Sequence, residues 1–332
     1  MSEWGMRSYL GGGTRGFQTQ VFPQPAPGVE GDFCDHNPRA SVNAGPGGLV
    51  AGPEGIWVAH FAWISPSFID PNNAPAIANS FSNGGPVAGF VHREQQGLIT
   101  DYLGGTSMHV PGGFMITLHQ MGGFFVINKG EGYGHLGMKA FARLSDGAVM
   151  FAAAGANPGA ASIDGTFSDE TFTGKGSILG NVLRVTELGD PDNMIVANGA
   201  VLTGDGIADG TRVVRQITGM PQKLGTYAVS IASHVVAAET DISGAYKVLD
   251  VTNVTEGSVH VGSMLPNGNG GAFITGQITG TGNVGTYLVS GETTASGTME
   301  LNTATETHWM AASAGNPGEL MKMTSHVYGV GV

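Results

Sequence analysis

The sequence predicts an all-β protein: an antiparallel β-sandwich or barrel-like base domain with an extended N-terminal arm, plus an inserted β-rich domain. Three observations carry this. Glycine fills 56 of 332 positions and only 12% of residues are charged, against roughly 25% in ordinary soluble domains; that composition suits many short strands between tight turns rather than long helices. From Gly89 to Ala154, apolar residues alternate with period two in short runs bounded by turn residues. RQITGMPQKLGTYAVS (215–230) and GQITGTGNVGTYLVS (276–290) then repeat one strand-turn-strand pattern.

The first 60 residues read as the arm. QVFPQPAPGVEGDF carries Pro23, Pro25 and Pro27 at alternate positions, and NAGPGGLVAGPEG repeats Gly-Pro pairs. Proline fixes φ and removes a backbone donor, which excludes a helix or a central strand. Such an arm gains order by lying on a surface, that of its own domain or of a neighbouring subunit. In FMITLHQ, Phe114, Ile116 and Leu118 share one face and Met115, Thr117 and His119 the other, the pattern of a half-buried strand; FFVIN follows as a fully apolar one. MKAFARL and AVMFAAA are joined by Ser145-Asp146-Gly147, whose Asp-Gly pair signals a hairpin. FAAAGANPG (151–159) and MAASAGNPG (310–318) each close an Ala-rich run with Asn-Pro-Gly, as a type II turn requires. ELMKMTSHV then reads as a closing strand. Strand chemistry left near residue 155 resumes near 305, so the intervening stretch is an insertion. Its two repeats place Tyr227 or Tyr287 with Val229 or Val289 on one face, and two copies indicate paired β units, not a solenoid. The expected organisation is an arm at 1–60, a β domain at 61–160 plus 304–332, and an inserted region at 161–303 with related units at about 200–242 and 261–301.

A formal charge of −12 with 14 scattered Lys and Arg argues against nucleic acid as a partner. No run of 18 apolar residues suggests a membrane span, and MSEWGMRSYLGGGTRG lacks the features of a signal peptide, so synthesis in the cytoplasm is expected. The single cysteine, Cys34, permits no internal disulfide and reads as a small half-buried loop side chain. The ten histidines form no HxH or HxxxH pair, and no cofactor or metal is expected. Asp205 and Asp209 in LTGDGIADG lack the spacing of a calcium loop and read as a turn. Trp57, Trp63 and Trp309 read as core. His92, Glu94 and Asp101 could be written as an acid/base or metal trio, but a strand places His92 and Glu94 on one face with Asp101 far off, so no catalytic residue is assigned. On that strand Arg93 and Glu94 suit charge pairing across an interface.

These segments together resemble the capsid structural cement, or decoration, proteins of tailed bacteriophages. The resemblance runs through VFPQPAPGVEGDF, NPRASVNAGPGGLVAG, GFVHREQQGLITDYL, SMHVPGGFMITLHQMGGFFV, GMKAFARLSDGAVMFAAAGA and ETHWMAASAGNPGELMKMTS. Members of that family are often shorter, and this chain departs by inserting roughly residues 160–303. The resemblance implies a non-enzymatic virion protein on the outer capsid surface that bridges major capsid subunits and self-associates as a dimer or trimer. Its interface residues would be Pro23, Pro25, Asn37 and Arg39 of the arm with Arg93, Glu94, Gln95 and Tyr102. An adhesin binding host-surface glycan through the inserted β units is the alternative, and a glycan hydrolase using carboxylates such as Glu94 and Asp101 a more distant one.

Overall fold

The computed structural model describes residues 28–44, 47–65, 75–94, 108–231, 234–265, 269–280, 282–292 and 297–326. The first part of the chain contributes β1 (Ala40–Ser41), β2 (Leu49–Ala51), β3 (Ile56–Trp57), β4 (Phe61–Ser65), β5 (Ala76–Asn79), β6 (Gly89–Val91), β7 (His109–Val110), β8 (Leu118–Met121), β9 (Gly123–Ile127), β10 (Lys139–Arg143) and β11 (Val149–Ala152). A second group follows: β12 (Ala161–Gly180), β13 (Val182–Leu188), β14 (Val201–Gly204), β15 (Val213–Gly219), β16 (Gly225–Val229), β17 (His234–Glu256), β18 (Asn269–Gln277), β19 (Gly285–Glu292) and β20 (Gly297–Leu301). The chain closes with β21 (Ala304–Ala311) and β22 (Leu320–Thr324). The protein is all-β, with no helix among the described residues.

Two sheets share the first core. One is ordered β1-β8-β6-β4-β5-β2, the other β11-β10-β21-β22-β9, with β3 and β7 as a separate pair. Apolar faces of both meet around Phe61, Phe90, Phe124 and Trp309, whose rings contact one another at centroid distances of 4.8 to 6.4 Å. β1 and β2, the strands supplied by the Gly/Pro-rich segment, occupy the two edges of their sheet; edges are where a chain with few donors can pair. Trp63 and Trp309 are buried as expected. Trp57 is not: it is 46% exposed and lies against His109, because it stands on the short β3–β7 pair away from the shared core.

The hairpin at Asp146-Gly147 forms as read, with Lys139 opposite Ala152 and Ala142 opposite Val149. Both Asn-Pro-Gly turns also form: Ala160 N–H donates to Asn157 O, Glu319 N–H donates to Asn316 O, and Gly159 and Gly318 take φ of 71° and 81°. Only glycine adopts that backbone at no steric cost. The apolar alternation at 114–120 is only half realised. Phe114 and Met115 are 44% and 74% exposed, and regular pairing starts at Leu118, because the backbone of 114–116 bonds instead to Ala51 and Leu49.

The second group makes one nine-stranded sheet built on β12 and β17, which pair from Ser162–Glu256 to Gly180–His234. Strands of 20 and 23 residues depart from the short strands that composition suggested. The two pair along their whole length, and β13, β20, β14 and β19 take up parts of their outer edges, so Thr, Ser and charged residues can stand on the solvent side without breaking the ladder. Two further cores form here, one around Phe172, Leu183, Tyr227 and Ile242, the other around Ile163, Leu249, Tyr287 and Leu301. The repeat supplies a strand-turn-strand to each: β15 with β16, β18 with β19. Gln216 and Gln277 donate into their turns through Nε2, to Thr218 and Met220 O and to Thr279 and Gly282 O. Tyr227 O–H donates to Lys223 O, and Tyr287 O–H to Gly282 O or Asn283 O at 2.7 and 3.0 Å. The shared Gln and Tyr are thus the residues that fold each turn.

Candidate functional site

β6 and β8 are hydrogen-bonded neighbours with Phe90 opposite His119, and β1 continues across β8 with Ser41 opposite His119. β1 and β6 therefore flank β8 on its two sides at His119. The segment 31–35 closes this corner. Gly31 N–H donates to Phe125 O, Phe125 N–H to Asp32 O and Cys34 N–H to Gly123 O, while Arg93 N–H donates to Gly31 O at 3.0 Å. Gly31 has φ +87° and a Cβ there would lie 2.7 Å from Val58 and 3.0 Å from Arg93, so no other residue lets the segment approach this closely.

The corner is built around Phe33. Its ring stacks on His92, with centroids 4.0 Å apart and planes at 21°, and the Arg39 guanidinium sits 3.5 Å from the ring centroid. Two groups so close cannot share one face of a ring, so Phe33 lies between them. Arg39 Nη2 also donates to Asp35 O at 2.8 Å, and Asp35 Oδ1 accepts Asn37 N–H at 3.0 Å. His119 meets Phe33 and His92 edge-on, both at 5.5 Å. Glu94 Oε1 lies 3.9 Å from His92 Nδ1, and Arg93 turns the other way to pair with Asp32 at 3.4 Å. The donor atoms of His92, Glu94 and His119 all fall within 4.8 Å of one another.

Burial sets the electrostatics. It lowers the pKa of His92, assisted by the charges of Arg39 and Arg93 and opposed by Asp32. It lowers that of His119 to about 4, with His92 and Arg39 adding to the effect and Glu94 opposing it. Both imidazoles are therefore neutral near pH 7. His119 Nδ1 and Arg93 Nε are buried and have no hydrogen-bond partner among the described residues. Cys34, half-buried as expected, has its thiol pushed up to about 11 by burial and by the neighbouring Asp35 carboxylate.

Of the eight residues expected at an interface, Asn37, Arg39, Arg93 and Glu94 converge on this corner, while Pro23, Pro25, Gln95 and Tyr102 lie outside the described residues, as does Asp101. The strand expected through HREQQ ends at Val91, where the 31–35 segment takes over the bonding of residue 93. His92 and Glu94 do point together, and Arg93 opposite, although through a loop and not a pleat. Arg39 spends its guanidinium inside the chain, on Phe33 and Asp35. His119 was not singled out by sequence; its place on the polar face of FMITLHQ was the one available signal, since register across the 28 positions separating it from Val91 is not readable locally.

The family described as XM1 gp53 minor capsid protein matches residues 17–186, half of the chain. The match runs from the arm through all the strands of the corner and into β13. The chain belongs to this family, which makes it a phage capsid-associated structural protein of the virion. No curated protein matches the chain.

Proposed function

We propose that the protein is a capsid cement: it binds the outer surface of the assembled shell and bridges major capsid subunits. The observation that carries this reading is the convergence, within the family-matched part, of Asn37, Arg39, Arg93 and Glu94 at one corner of the two-sheet base. Residues 61–160 and 304–332 act as the shell-binding domain, residues 1–60 as an arm laid along the interface, and 161–303 as an outward insertion. The insertion begins and ends side by side, with Ala161 opposite Leu301, and it has its own cores, so the base can dock while the insertion stays clear. A dimer or trimer that touches several shell subunits sums weak contacts by multivalency. Binding only the assembled state also shifts assembly toward it.

The test is cryo-electron microscopy of the protein added to capsids stripped of it, beside a variant with 161–301 replaced by a short turn. Density at symmetry-related positions for both proteins is expected. Bare capsids at saturating protein overturn cement, and binding that is lost only in the shortened variant moves the interface to the insertion.

A second reading, glycan binding by the insertion, is favoured by an open groove of about 400 Å³ lined by Thr173, Lys175, Glu187, Thr203, Asp241 and Ser243. Hydroxyls and charged groups of this kind hydrogen-bond sugars. Glycan arrays probed with the full chain and with T203V decide it.

A further inference from the structure

We propose that His92, Glu94 and His119 form a binding site for a divalent transition-metal ion of the zinc class. Three donor groups, two from the loop that follows β6 and one from β8, meet with all donor atoms within 4.8 Å, and His92 Nδ1 already lies 3.9 Å from Glu94 Oε1. An ion about 2.0–2.2 Å from each donor needs them roughly 3.5 Å apart. Side-chain adjustment has to close the remaining gaps, and Glu94, whose side chain is 34% exposed and lies beyond the end of β6, has room to rotate.

The chemistry of the donors selects the ion. Two imidazoles and one carboxylate suit zinc, nickel, copper or cobalt, whereas calcium and magnesium take oxygen ligands. Metal binding requires each imidazole to offer a lone pair and Glu94 its carboxylate, so uptake should fall as pH drops and protons compete for the donors. Among the described residues the buried His119 Nδ1 has no hydrogen-bond partner, so no bond among them occupies that nitrogen. Local charge permits a cation: Asp32, Asp35 and Glu94 outnumber Arg39 and Arg93 by one, and Arg93 is paired with Asp32. A bound ion would tie the end of β6 to β8 beneath the 31–35 segment, and three protein ligands leave a position for water or an incoming donor.

This site rests on the geometry of the chain alone and is tested without capsids. The full chain is stripped with chelator, desalted and titrated with zinc chloride by calorimetry, and cobalt is added to a second sample to read its visible spectrum. One saturable zinc per chain is expected, with H119N and E94Q each weakening binding by at least about tenfold and the control H260N leaving it unchanged. The E94Q change disturbs no ring contact, so it keeps the test decisive if H119N fails to fold. Absence of saturable uptake, or equal uptake by E94Q and the parent chain, overturns the site, as does a cobalt spectrum that E94Q leaves unaltered.

Discussion

Replacing Trp309 by alanine tests whether the base and the insertion are separate cooperative units. The indole is 1% exposed and touches Phe61, Phe90 and Phe124 at centroid distances of 6.4, 6.2 and 5.5 Å, all within the core of the two-sheet base. It contributes nothing to the two cores around β12 and β17. Truncating a buried Trp costs about 3–5 kcal/mol through lost transfer energy and the cavity left behind. At about 1.4 kcal/mol per tenfold, protected amides in the base should exchange between about a hundredfold and a few thousandfold faster. Hydrogen exchange read by mass spectrometry separates the two regions. Peptides covering Gly123–Ile127 and Lys139–Arg143 should lose protection in W309A, while those covering 166–173 and 245–251 keep theirs. Equal loss in both sets would show that the cores unfold as one, and the proposed division at 161–303 would be wrong.

Two further outcomes follow from particular contacts. Burial opposes ionisation of Asp146, but hydrogen bonds from Arg143 at 2.8 and 2.5 Å, its charge and the Ala148 N–H hold the carboxyl below its ordinary value. A depressed carboxylate stabilises the fold at pH above its unfolded value and loses that contribution as pH falls through the folded one. D146N should therefore lower stability at pH 7 by about 1 kcal/mol, discounted because both side chains are 35% exposed, and melting curves should converge with the parent as pH falls below the ordinary carboxylate range; an undiminished difference there refutes the pairing. In the insertion, Y287F removes one hydroxyl from Gly282 and Asn283 and should cost about 0.5–1.5 kcal/mol, seen as faster exchange in β18 and β19 and matched by Y227F in β15 and β16; a difference of several fold between the two variants would show the repeats are not equivalent.

Local chemistry made much of the fold readable. Asp-Gly at 146–147, Asn-Pro-Gly at 157–159 and 316–318, and the Gln and Tyr of each repeat all act within a few residues of themselves, so their turns can be read without knowing what packs on them. What was lost is what depends on partners distant in sequence. Nothing in TFSDETFTGKG announces a strand of 20 residues, because that strand is fixed by its match to β17 and not by its own alternation. Phe114 and Met115 look like strand residues until the pull of β2 on their backbone is known. At the candidate site, the charges of residues 93 and 94 were legible as a polar concentration in a sparsely charged chain. The meeting of His119 with His92 needed the register of β6 against β8, and the stacking of Phe33 between Arg39 and His92 needed the path of the 31–35 segment.

The long pair of strands in the insertion also has a mechanical meaning. β12 leaves the base and β17 runs back alongside it to Glu256, opposite Ser162, each already in extended conformation, and 20 residues at about 3.3 Å span roughly 65 Å. A fully stretched chain reaches about 3.6 Å per residue, so the pair has less than about a tenth of its length in slack. Tension applied at the far end passes straight to the base along the β12 backbone, while β17, which reaches the base covalently only through β18–β20, loads in shear the hydrogen bonds that join it to β12. β12 is a taut tether braced along its length by β17, and it passes a pull to the base without first having to unravel.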